Sequence, residues 1–277
     1  MRLGMESRME KSVLRVFSYL PNPRVWKAQI AAEICGVKVE VVGDKARNLP
    51  KWLWDYDARP LAEDERDDRS PHARTSRRGF SGTLFKTDRF LERHPFGTVP
   101  AAFSPDGSVG IFESNSILRA VARAGGSDCE LYGADEYEAS RVDGFLDASL
   151  VFAREAQVYM LAMNKMTPEL HSRMAAAYEF YLDGINRALE GSPFIACERL
   201  TLADISFVCD LAQFLHEQRQ REALAERGLA PVSEEGPATY PRAFEHLFDL
   251  KDRPEFATHM GSYLDWYRSD LGAVEHE

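Results

Sequence analysis

Two short stretches carry residues able to do chemistry together: "GTVPAAF" (97–103) and "FESNSILRAVA" (112–122), with a Pro-Asp-Gly hairpin between them. In the later stretch, Ser114 sits where a helix opens and suits its N-cap. The N–H groups of a first helical turn lack partners inside the helix and bind a carboxylate well. Glu113, just ahead, offers a carboxylate to an α-amino group. The pair can therefore read the zwitterionic end of an amino acid. In the earlier stretch, Val99-Pro100 heads a strand, a natural place for a cis peptide bond. A cis bond turns the preceding backbone outward, so Val99 can pair strand-fashion with a bound peptide. Each feature also has a plain use, as a trans proline on an edge strand or as a simple helix cap. Set one hairpin apart, the two fit the ends of a γ-glutamyl tripeptide.

The elements around them must hold that spacing. Ser12–Leu20 alternates and is rich in branched and aromatic residues, which reads as a strand. "PNPRVWKAQIAAEICG" reads as a helix, with Asn22 as cap, Pro23 in the first turn and Gly36 as stop. Val37–Val42 is a second strand, so the start is a βαβ unit with a parallel pair. "DYDARPLAEDERDDRSPHARTSRRG" (55–79) is charged and almost free of aliphatic residues, so a long loop or mobile lid is expected. Thr83–Pro95 reads as a short helix. Strand, hairpin and helix then complete a βαβ–ββα order. That is the α/β, thioredoxin-like arrangement of a mixed sheet flanked by helices. From about Asp135 only long amphipathic helices are signalled. The expected domains are 1–126, with a charged insertion at about 44–93, and an all-α domain at 134–277, joined by a linker near 125–133.

The composition excludes several classes. The chain has 277 residues, 44% hydrophobic and 28% charged, enough for one large or two modest domains with a real core. A net charge of -10 argues against general affinity for nucleic acid or anionic membranes. No apolar run approaches the length of a membrane span. The opening "MRLGMESRMEKSVLRV" lacks the apolar core of a secretory signal, so a cytoplasmic protein is expected. Cys35, Cys129, Cys197 and Cys209 show no metal-ligand spacing and read as inert thiols in a reducing compartment. No P-loop or GxGxxG fingerprint is present, and no metal is expected.

"GTVPAAF" and "FESNSILRAVA", with the βαβ start and helical second half, resemble the glutathione transferase family. "SPFIACERLTLADISF" (192–207) strengthens this, because the family carries a similar "LT-x-AD" segment at that point. The resemblance implies a thioredoxin-like glutathione-binding domain followed by a helical one. It also implies a dimer with an identical or related chain, and a cis-Pro100. Glutathione, the one co-substrate implied, would lie at Val99, Pro100, Glu113 and Ser114, with Arg24 adding positive charge. Thr201 and Asp204 match the family's capping box, a structural role worth roughly 1 kcal/mol.

A free thiol of this kind has a pKa of about 8.5, and lowering it by about two units requires roughly 2.7 kcal/mol of preferential thiolate stabilisation. The family places a Tyr, Ser or Cys after the first strand for this purpose. Here "FSYLPNPRVWKA" offers Ser18 and Tyr19 at the strand end and Asn22 at the helix start. "NPRVWKA" is similar to the "SP-x-VWR" stretch of the bacterial lignin β-etherase branch, in which serine stands where this chain has Asn22. The resemblance thus makes Asn22, with helix-start amides, the expected thiolate holder, although it lacks a hydroxyl.

Phe152, Tyr159 and Met163 recur at about helical spacing, and Trp266 and Tyr267 cluster near the C-terminus. They suit a wall for a small aromatic electrophile between the domains, or plain core. The expected activity is glutathione transfer by substitution at an electrophilic carbon, with cleavage of lignin-derived β-aryl ethers as the finer reading. Two alternatives stay open: a glutathione-dependent disulfide reductase, and a non-catalytic interaction module. The latter resembles the transferase-like domain of elongation factor gamma with its similar "FESNAI" residues.

Overall fold

A computed structural model describes residues 12–76 and 79–274; the N-terminal segment read above for a targeting signal lies mostly outside the described residues. The chain divides into two compact units at Cys129.

The first unit begins with β1 (Ser12–Tyr19), α1 (Pro23–Ile34) and β2 (Lys38–Asp44). It closes with β7 (Ala101–Phe103), β8 (Gly110–Phe112) and α3 (Ser114–Gly125). Its main sheet has the order β2-β1-β7-β8, with β1 and β2 parallel and the other pairs antiparallel. This is the thioredoxin-like mixed sheet. Side chains alternate across each strand. Val16 and Ala102 therefore point to the face opposite Phe17 and Ala101, and all four are buried.

The run at 55–79 is not one long loop among its described residues, and the insertion at 44–93 has a fold of its own. After a 3₁₀ turn at Ala46–Lys51 its residues build a second four-stranded sheet, β4-β3-β6-β5. Its strands are β3 (Trp52–Trp54), β4 (Arg59–Pro60), β5 (Ala73–Thr75) and β6 (Thr83–Lys86), and a short helix α2 (Asp88–Arg93) follows. Thr83–Pro95 is thus strand and then helix. The physical reason lies at the two ends of the charged run. Trp52, Trp54 and Leu84 supply the apolar face, packed with Phe90 on Phe17, Ala101 and Phe103 of the main sheet. Phe17 and Trp54 meet edge to face at 5.5 Å, the favoured aromatic geometry. The described charged residues between them lie largely at the surface and form local ion pairs. Arg59 grips Glu65 through two bonds of 2.6 and 2.8 Å, and Arg74 meets Asp88 at 2.6 Å.

The insertion also fastens the β7–β8 hairpin. The Tyr56 hydroxyl donates to the Pro105 carbonyl at 2.6 Å, and Arg93 Nε to the Gly107 carbonyl at 3.0 Å. Gly107 has φ +70, and a Cβ there would lie 2.8 Å from the Tyr56 ring, so glycine is required twice over.

Cys35 and Cys129 are joined as a disulfide across 94 residues, with Cα atoms 4.9 Å apart. This corrects the expectation of four inert thiols. Cys35 caps α1 and Cys129 follows α3, and the packing of those two helices brings the cysteines together. Cys197 and Cys209 are free.

The described part of the second unit contains helices and no strand. The longest are α4 (Glu136–Leu161), α5 (Pro168–Ala188), α6 (Leu202–Leu215) and, after shorter helices, a closing one at Pro254–Val274. Thr201 and Asp204 form the capping box of α6: the Asp204 carboxylate accepts from the Thr201 amide at 2.8 Å and its hydroxyl at 2.9 Å. It also accepts from the Ile195 amide and lies 2.9 Å from His246 Nε2. α6 ends at Leu215 and passes into a 3₁₀ turn at His216–Gln220. Glu217, fully buried, accepts from the Val232 amide, the Ser233 amide and hydroxyl, and the Tyr159 hydroxyl. Such a carboxylate must be satisfied where it lies, and this set of donors takes precedence over helix continuation.

Candidate glutathione site

Strand register brings the expected peptide-reading residues to one end of the main sheet. Phe17 pairs with Ala101, and Ala101 pairs with Phe112. One residue beyond that rung come Ser18, Pro100 and Glu113; one further come Tyr19 and Val99. Three chain segments distant in sequence thus converge at a single edge.

The Val99–Pro100 bond is cis, the geometry that the resemblance implies, and Leu20–Pro21 is cis as well. Val99 is half-buried against the aromatic core, while Pro100 is enclosed. Glu113 is the N-cap of α3, one residue earlier than the expected Ser114 cap. Its φ is +65, and its side chain makes no capping bond. Glu113 is the one non-glycine residue at positive φ among the described residues. It is exposed, and its carbonyl accepts from the Ser116 and Ile117 amides. Ser114, first in the helix, is buried.

The expected thiolate holders are arranged differently. Asn22 is fully buried. Its amide nitrogen donates to the Ser18 hydroxyl at 3.0 Å, and its side-chain oxygen accepts from the Arg24 amide at 2.9 Å. The Val25 amide is bound to the Asn22 carbonyl at 2.9 Å. Asn22 and Ser18 therefore lock the strand-to-helix joint. Tyr19 differs: it stands at the strand end, half-buried against the core. Burial raises its phenol pKa, with nearby Arg24 pulling the other way, so the hydroxyl stays protonated and can donate.

The expected electrophile wall is largely the core of the second unit. Phe152, Tyr159, Met163 and Tyr267 are buried. Phe152 stacks on Tyr181 at 4.7 Å, and Tyr159 donates to Glu217 at 2.6 Å. Trp266 is half-buried under the Arg219 guanidinium. The stripe spacing is that of any helix facing a core, and here the core takes it.

Two residues escaped the sequence reading. Lys27, almost fully buried in α1, donates to the Asn115 side chain at 2.9 Å, next to Ser114. The available signal was a lysine flanked by the apolar positions Trp26, Ala28 and Ile30. His94 is enclosed by Phe90, with which it stacks at 5.1 Å, and by Phe103, edge-on at 4.7 Å. Burial pushes its pKa down to about 4. Among the described residues no cluster of His, Cys, Asp or Glu is arranged for a metal ion, and no helix is long and apolar enough to cross a membrane.

No family model matches the chain. It is 28% identical over 202 residues to a probable elongation factor 1-gamma 1 of Arabidopsis thaliana, covering 72% of this chain. The match takes in 40% of that relative, so the chain spans about two fifths of its length. It is 23% identical over 207 residues to the glutathione S-transferase-like protein LUC7 of a Fusarium species, covering 73% of this chain and 78% of the relative. The solved structure of the glutathione transferase URE2P8 from Phanerochaete chrysosporium, with oxidized glutathione, superposes with a TM-score of 0.64 at 15% identity. The overlap takes in 93% of this chain and 98% of that one. With its mixed sheet, cis-Pro100 and helical second unit, this chain has the glutathione transferase fold.

Proposed function

We propose that the chain binds glutathione at this sheet end and activates its thiol for substitution on an aromatic electrophile. In this reading the Glu113 carboxylate receives the γ-glutamyl ammonium and the first turn of α3 receives the neighbouring carboxylate. Val99 pairs with the cysteinyl backbone. Tyr19, at the edge shared with Val99, donates a hydrogen bond to the sulfur and so favours the thiolate. The observation that carries the reading is Glu113 at φ +65. A non-glycine residue held there costs about 1–3 kcal/mol, and such strain gathers at ligand sites.

The finer substrate reading is glutathione-dependent cleavage of a β-aryl ether, supported by the likeness of "NPRVWKA" to the etherase stretch. The thiolate forms a C–S bond at the carbon beside a ketone. The C–O bond breaks and its electron pair leaves with the phenolate, which takes a proton from water.

The test follows the ultraviolet band of bound glutathione thiolate against pH. The wild type should show a thiol pKa below the free value, and Tyr19→Phe should raise it by about one unit or more. An unshifted thiol in the wild type would turn the reading toward a second one, a transferase-like module serving assembly. That alternative is favoured by the elongation factor 1-gamma relatives and by the burial of Asn22 and Ser18.

A further inference from the structure

The insertion sheet reaches the turn before Val99 through a polar contact. Lys86, the last residue of β6, pairs in register with Trp54. Its ammonium lies 4.6 Å from the centre of the Trp54 ring and donates to the Gly97 carbonyl at 2.7 Å. Gly97 stands two residues before Val99. It closes a turn through its own amide, bound to the His94 carbonyl at 2.8 Å, and has φ +59. A Cβ at Gly97 would come within 3.3 Å of the Lys86 nitrogen and of Leu91, a tight approach, and the positive φ favours glycine there. The 94–97 turn is therefore held from outside by one directed, charged donor. That donor is itself fixed by an aromatic face and by its place at the end of a strand.

We propose that Lys86 is a positioning residue for glutathione: through the Gly97 carbonyl it sets where Val99 presents its backbone to the ligand. This rests on the assignment of Val99 under Proposed function. It gives the insertion a task, the bracing of the ligand's backbone contact. An ammonium donating to a carbonyl is a charge-assisted bond, stronger and more directional than a neutral one. Stacking over Trp54 restricts where that charge can go. Losing it should free the turn without disturbing the Glu113 mouth, which hangs on the other side of the hairpin.

The experiment measures glutathione affinity by calorimetry on the full chain, and amide hydrogen exchange on the ligand-free protein. It compares the wild type with Lys86→Met, Lys86→Gln and Lys86→Arg. The Met and Gln variants should bind glutathione about tenfold more weakly, and Arg should stay within about threefold of the wild type. Exchange should quicken over residues 96–99 and hold steady over 114–118. Affinity within about twofold of the wild type in both Met and Gln variants overturns the proposal. So does exchange that quickens equally in both segments, because that is general loosening. A wild type that fails to bind glutathione at millimolar concentration sinks the site assignment itself, and with it this role for Lys86. That failure shows before any variant is made.

Discussion

The side-chain amide of Asn22 donates to the Ser18 hydroxyl at 3.0 Å inside a fully buried joint. Two of the three residues expected to hold the thiolate therefore hold each other. The joint braces the point at which α1 leaves β1.

Asn22→Ala should cost stability before it costs binding. It removes a helix cap and leaves the Ser18 hydroxyl unpaired in the interior, for a loss of about 1–2 kcal/mol in denaturant unfolding. Glutathione affinity of the folded variant should stay within about threefold of the wild type. A variant of unchanged stability with lost thiolate chemistry would return Asn22 to the mechanism.

Glu113 should show opposed effects. Glu113→Gly relaxes the positive φ, so the variant should be about 1 kcal/mol more stable than Glu113→Ala, which keeps the strain. Both should bind glutathione at least about tenfold more weakly than the wild type, since both lose the carboxylate. Equal stability of the two would argue that the strain is absent; equal binding to the wild type would remove Glu113 from the site.

Acid should destabilise the first unit through His94. Burial depresses its pKa from 6.5 to about 4. Between those values the unfolded chain binds a proton that the folded chain refuses. The contribution is thus full above about pH 6.5 and is lost as pH falls toward about 4, with an upper bound of about 3 kcal/mol. His216, in the second unit, is pushed to about 4 as well, by burial and by Arg219, so acid acts on that unit with the same sign. Unfolding free energies of the wild type and His94→Asn at pH 7 and pH 5 should show a smaller drop in the variant. Parallel pH dependences would mean that His94 titrates normally.

The Cys35–Cys129 link should stabilise the first unit. It closes a loop of about 94 residues, for which the chain-entropy account gives roughly 4–5 kcal/mol. Cys35→Ala and Cys129→Ala should each lower the unfolding midpoint and abolish its sensitivity to reductant. Gly125→Ala should weaken the link too, because a Cβ there would lie 2.6 Å from the Cys129 Cβ and 2.8 Å from the Cys35 Cβ. A wild type indifferent to reductant would show that the bond adds nothing.

The sequence by itself carried the order of elements and the local signals. The caps at Asn22 and Thr201, the helix mouth at Glu113-Ser114 and the strands of the βαβ start are written in residues close along the chain, where propensity and capping act. Tertiary structure alone decided what those residues meet. The run at 55–79 reads as loop because its charges hide the fact that Trp52, Trp54 and Leu84 flank it and share a face with Phe17. The convergence of Tyr19, Val99 and Glu113 depends on pairing between distant strands. The enclosure of Phe152 and Tyr159, the reach of Lys86 to Gly97 and the meeting of Cys35 with Cys129 likewise depend on packing. Burial and long-range contact are properties of three-dimensional packing, and periodicity alone states only that a face is apolar, not what covers it.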